Sequence, residues 1–282
     1  MCKLWNSSED RQPILALHGW QDNAGSFDLV APLLKNHSIL AIDNPGHGLS
    51  SWLPQGIAYD DTTTILLIRK LKRHFNWGKI KFLGHSAGAL VSFIYASLYP
   101  NDTEFVIALD SLQYRPIINV DEYCREYAKN IDKFLDLEEK YSVTNRVSYE
   151  EDEFVKKWIT GSNCSLNEIA VKIMMRRGAK RTEDGKFFFS RDPRVKLNLP
   201  LRAIYTEEHL ENIARLIKCP YLVLRSSSSF DDGEFSPNIV EIMKTNCREF
   251  SLISMPGSHH LHLTNVKSVA EIVKSFLVSH EI

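Results

Sequence analysis

The pentapeptide Gly84-His85-Ser86-Ala87-Gly88 constrains this chain more than any other feature, because an apolar run ends at Leu83 and a strongly apolar helical pattern begins at Ala87. A chain that turns directly from strand to helix brings backbone against its neighbours, which suits glycine at 84 and 88. Such an elbow presents the Ser86 hydroxyl at the carboxyl edge of a parallel sheet. The helix that follows adds the positive end of its dipole beside it.

The surroundings fit that geometry. Short apolar runs at 14–17, 38–42, 79–83 and 105–109 alternate with helical patterns, and the rhythm resumes at 221–224 and 249–254. Runs this short and this apolar read as parallel strands buried on both faces. Phe27, Val30, Leu33 and Leu34 recur at helical spacing, as do Ile65, Ile68, Leu71 and Phe75 behind an Asp60-Asp61 cap. Between 113 and 218 the alternation stops, and charged amphipathic patterns occupy 123–137, 150–159, 166–177 and 207–217. The expected organisation is therefore a core of 1–112 and 219–282 with a helical cap, 113–218, inserted in it.

Composition narrows the partners. With 34 Lys+Arg against 35 Asp+Glu, the formal charge is −1, and the basic surplus that nucleic acid requires is absent. Five cysteines with no CxxC suggest neither a disulfide framework nor a zinc site. No run approaches the roughly 18 apolar residues of a membrane span, and residues 279–282 match no peroxisomal or endoplasmic-reticulum address. A cytoplasmic protein without a membrane span is expected. No phosphate loop and no G-x-G-x-x-G follows a strand, so no cofactor is expected.

A serine hydroxyl needs a base, and the histidine is expected late in the chain, after the final strand. His259 follows the Pro256-Gly257 turn and is the favoured base, with His260 and His262 as competitors. These three histidines lack an H-E-x-x-H helix or a companion carboxylate at ligand spacing, so no metal is expected. The acid that orients the imidazole comes from a strand end: Asp110 directly after the run at 105–109, or Asp231 or Asp232 after a longer loop. For the oxyanion, the amides of Ala87 and of Trp20, in the loop His18-Gly19-Trp20-Gln21, are the expected donors. Asp43-Asn44-Pro45-Gly46-His47-Gly48-Leu49-Ser50 reads as a scaffolding loop.

The stretches 17–23, 26–28, 46–50, 83–86, 190–192 and 256–259 resemble the α/β-hydrolase superfamily, and are most similar to the serine hydrolase-like proteins. The resemblance implies an α/β-hydrolase fold, a mostly parallel sheet with helices on both faces, and a helical cap between the sixth and seventh strands. The Pro-Gly-x-His segment and the position of Asp110 also look like the haloalkane dehalogenases, which supports His259 and Asp110. Two departures stand out: the usual acid position after the seventh strand falls near Ser229, and the amino terminus is short for a first strand. The expected function is a serine hydrolase of esterase or lipase-like type acting on a small acyl substrate. The alternative is a catalytically silent member of the fold that binds a ligand or partner.

Overall fold

The computed structural model describes residues 1–7, 12–140, 146–197, 205–228 and 235–280. Six strands run parallel: β2 (Ile14–Leu17), β3 (Ile39–Ile42), β4 (Ile80–His85), β5 (Thr103–Leu109), β8 (Tyr221–Ser228) and β9 (Phe250–Ser258). A seventh, β1 (Cys2–Trp5), pairs antiparallel with β3 and forms the edge, so the order is β1-β3-β2-β4-β5-β8-β9. The amino terminus, expected to be too short for a strand, thus supplies one; four residues in register with Ile39–Ile42 are enough when the partner strand is already fixed.

Strand side chains alternate between two cores, as a period of two requires. Leu15, Leu17, Phe82, Val106, Ala108 and Val223 face α1 (Asp61–His74), α2 (Ala87–Leu98), α6 (Glu207–Arg215) and α7 (Pro237–Asn246). Ile14, Ala16, Leu83, Ile107, Leu109 and Leu222 face the other way, onto the segment 24–34 and α9 (Val266–Ser279). That segment departs from its expected helix. It forms two 3-10 turns, Ala24–Phe27 and Ala31–Leu33, the second begun by Pro32.

The insertion after β5 carries α3 (Val120–Lys140), α4 (Glu151–Gly161), α5 (Glu168–Gly178) and a hairpin, β6 (Ala179–Arg181) with β7 (Phe187–Phe189). Neither the hairpin nor α7 was legible as an element in the sequence. Phe154, Trp158, Val171 and Met174 give the insertion a small core of its own. Expected as part of the cap, α6 instead belongs to the sheet's covering layer. Its Leu210 and Ala214, with Ile217, recur at helical spacing and pack with α2 and α7. The insertion is pinned to the core by Arg177, whose Nη2 lies 2.7 Å from Oδ2 of the fully buried Asp43, and by the Trp20 indole, which donates to the Val195 carbonyl at 2.5 Å.

Candidate active site

Register decides what meets at the sheet edge. Leu17 pairs with Gly84, Gly84 with Ala108, and Ala108 with Val223. The residues just beyond this row, Gly19 and Trp20, Ser86, Asp110 and Ser226, therefore emerge together at the carboxyl ends of four adjacent strands.

Ser86 sits at φ 49° and ψ −117°, a left-handed conformation that a residue with a Cβ adopts at a cost of about 1–3 kcal/mol. The flanking glycines make the turn possible. A Cβ on Gly88 would lie 2.1 Å from the Leu17 carbonyl oxygen, and one on Gly84 would lie 2.6 Å from the Ala89 nitrogen. The Ser86 amide donates to Leu109 at 3.0 Å, tying the elbow to β5.

Asp110, also at positive φ (56°), is buried at 3% exposure. Its Oδ1 accepts from the Ser226 amide at 2.7 Å, and its Oδ2 lies 2.6 Å from Nδ1 of His259, itself 4% exposed. The structure thus brings His259 against Asp110. His260 and His262 go elsewhere: His260 Nδ1 meets Ser165 Oγ at 2.7 Å, and His262 Nε2 meets Ser26 Oγ at 2.6 Å. Asp231 and Asp232 lie outside the described residues.

Ser86 and His259 line one cavity of about 220 Å³ together with Gly19, Trp20, Asp22 and His85. Lys157, Trp158, Phe189 and Arg191 of the insertion roof it. The amides of Trp20 and Ala87 donate to no protein acceptor among the described residues. A wider surface depression of about 420 Å³ between 164–167 and 256–258 is lined by neutral residues.

The sequence profile of the α/β hydrolase fold family matches residues 12–120. Over 97% of its length the chain is 35% identical to a probable serine hydrolase of Drosophila melanogaster, 83% of which is covered. It belongs to the serine hydrolase family of α/β-hydrolases. A human relative, serine hydrolase-like protein 2, is 28% identical over 98% of this chain and 89% of its own. The crystal structure of the hypothetical protein PA1622 from Pseudomonas aeruginosa superposes with a TM-score of 0.84 at 27% identity, covering 98% of this chain and 95% of that one.

This family member carries a second carboxylate-imidazole group that sequence reasoning passed over. Asp22 Oδ2 lies 3.3 Å from both His260 Nε2 and His85 Nδ1. Burial alone would raise the Asp22 carboxyl; the facing His260 and His85 rings outweigh it and hold it well below the usual range. His85 in turn meets the His259 carbonyl through Nε2 at 3.0 Å, so the variable residue of the elbow braces the segment that carries His259. Asp22, His85 and His260 bring ligand atoms within 4.8 Å of one another, which makes them, and not the His259-His260-His262 trio, the described residues able to share a cation. The only hint in the sequence was Asp22 and Asn23 within the quoted loop.

Burial tunes His18, His47, His259 and His262 towards neutrality. Burial lowers His259, the Asp110 hydrogen bond opposes it, and the balance falls below the usual 6.5, so the imidazole is unprotonated near neutral pH. Burial also lowers His18, lowers His262 strongly and pushes His47 down to about 3. The unfolded chain binds protons at these positions below pH 6.5 while the folded one does not, so stability is complete above that pH and is lost as pH falls. Each such histidine contributes up to about 1.4 kcal/mol per pH unit. The melting temperature is therefore expected to drop by several degrees between pH 7 and pH 5.5. Calorimetric scans across that range that superimpose would refute this.

Proposed function

We propose that this protein is a cofactor-independent serine esterase. Ser86 Oγ attacks an acyl carbonyl and passes its proton to Nε2 of His259, while Asp110 fixes the imidazole tautomer and balances the imidazolium. The amides of Trp20 and Ala87 hold the oxyanion of the tetrahedral intermediate, a role worth about 10²- to 10³-fold in turnover per donor. His259 then protonates the leaving alcohol. Water, deprotonated by the same imidazole, attacks the acyl-enzyme and releases the acid, returning Ser86 to its starting state.

One observation carries this reading: a buried 2.6 Å contact between His259 Nδ1 and Asp110 Oδ2, with Ser86 on a strained elbow lining the same cavity. At about 220 Å³ the cavity favours short acyl groups, since drug-sized ligands occupy about 300–1,000 Å³. In the same reading the insertion between β5 and β8 acts as the cap, because its Trp158, Phe189 and Arg191 close the cavity from above.

A fluorophosphonate probe separates this reading from a silent member of the fold. Only an activated hydroxyl displaces the probe's fluoride, so the expected result is one adduct, mapped by mass spectrometry to the peptide containing Ser86. A chain that stays unmodified while trypsin is labelled in the same tube would be a binding protein instead.

A further inference from the structure

Arg191 roofs the cavity that holds Ser86 and also lines a second chamber of about 100 Å³, which adjoins the first at Phe189. Among the described residues the second chamber carries three cations, Arg146, Arg191 and Lys196, and no carboxylate. In a chain of net charge −1 this concentration is local and does not follow from composition.

The Arg191 guanidinium has no ion pair or hydrogen bond among the described residues. Its Nε is shielded from solvent without an acceptor, and its guanidinium stacks over the Phe189 ring, 4.0 Å from the centroid. The neighbouring acids are committed elsewhere. Asp192 Oδ2 lies 2.8 Å from Arg194 Nη2, and Asp22 faces His85 and His260. Burial pushes Arg191 down to about 10; burial and then the charge of Arg191 lower Lys196, which lines the same chamber. Arg146 stacks on Trp52 at 4.4 Å and Phe188 at 5.0 Å, again without a carboxylate. Arg146 and Arg191 are half-buried and Lys196 is exposed; a cation partly withdrawn from water gains from an anionic partner, and arginine is the side chain best shaped to grip a carboxylate or phosphate.

We propose that this chamber receives an anionic group of the substrate, so that the serine hydrolase acts on acyl esters or thioesters bearing a carboxylate or a phosphate. The inference rests on the esterase reading above and deepens it. The reaction is unchanged; the anion is held by Arg191, Lys196 and Arg146 while the carbonyl reaches Ser86.

Two matched pairs of substrates test it. Mono-4-nitrophenyl glutarate differs from 4-nitrophenyl pentanoate by a carboxylate in place of a methyl, and acetyl-coenzyme A carries the phosphates that S-acetyl-N-acetylcysteamine lacks. The protein is expected to prefer the charged member of one pair by at least about tenfold in kcat/KM, and Arg191→Gln should bring that ratio to near one. The pair that responds tells carboxylate from phosphate. A ratio near one for both pairs in the unaltered protein, or an equal fall of both members in Arg191→Gln, overturns the proposal. Calorimetric binding of glutarate and of coenzyme A to the Ser86→Ala protein separates this failure from failure of the esterase reading. Binding of either that is lost in Ser86→Ala/Arg191→Gln and weakened in Ser86→Ala/Lys196→Gln supports the anion site even if no ester is turned over. Absence of binding by both ligands refutes it.

Discussion

Ser86→Ala is expected to lower kcat for p-nitrophenyl acetate by about 10⁶-fold, the scale on which serine hydrolases lose turnover with their nucleophile. The variant should remain folded. Alanine keeps the Cβ of serine, so the strain at φ 49° is unchanged, and the Ser86 amide still donates to Leu109 while the backbone carbonyl still accepts from Ala89 and Leu90. What disappears is one oxygen. Oxyanion donors and binding alone sustain about 10³- to 10⁴-fold over water, so a small residual rate is expected. A Ser86→Ala protein with native circular dichroism and full ester turnover would end the serine mechanism.

Asp110→Asn should cost about 10⁴-fold in kcat, for a different reason. The carboxylate lies 2.6 Å from Nδ1 of His259 and, in the proposed mechanism, holds the tautomer whose Nε2 takes the Ser86 proton. An asparagine amide at that position donates to Nδ1, which forces the proton onto Nε2 and removes the base. Ser226 still has a carbonyl oxygen to donate to, since its amide contact of 2.7 Å is to the other carboxylate oxygen, so the carboxyl end of β8 should hold. Circular dichroism therefore serves as the control. If Asp110→Asn retained turnover within tenfold of the parent, the acid would have to be sought in the segment that contains Asp231 and Asp232.

The elbow was legible because every requirement on it is local. An apolar strand, two glycines four residues apart and an apolar helix lie next to one another in the chain, and the backbone contacts at Gly84 and Gly88 follow from that order. Five of the six parallel strands were legible for the same reason, since burial on both faces leaves a mostly apolar run, whereas β9 is an edge strand and only part-buried. The spacing of Phe27, Val30, Leu33 and Leu34 was misread as a helix because it fits a helical face equally well; a proline and the tight Asn23 cap, whose side chain accepts from Gly25 at 2.9 Å, shorten the segment to 3-10 turns. In α6 the period was right and the destination wrong. Helical spacing reports that Leu210 and Ala214 share a face, but not which surface covers that face.

The sequence by itself determined the sheet, the position of Ser86 and a short set of partners for it, because strand period, turn chemistry and helix spacing act between near neighbours. Only the tertiary structure decided which partner meets which. His259 and Asp110 are 149 residues apart, and their contact depends on the registers of β4, β5, β8 and β9 together. The same holds for Asp22 between His85 and His260, and for Arg191, whose want of an anion among the described residues becomes visible only when Asp22 and Asp192 are seen to face other partners. Burial and charge pairing are sums over atoms from distant parts of the chain, and no local pattern in the sequence carries that sum.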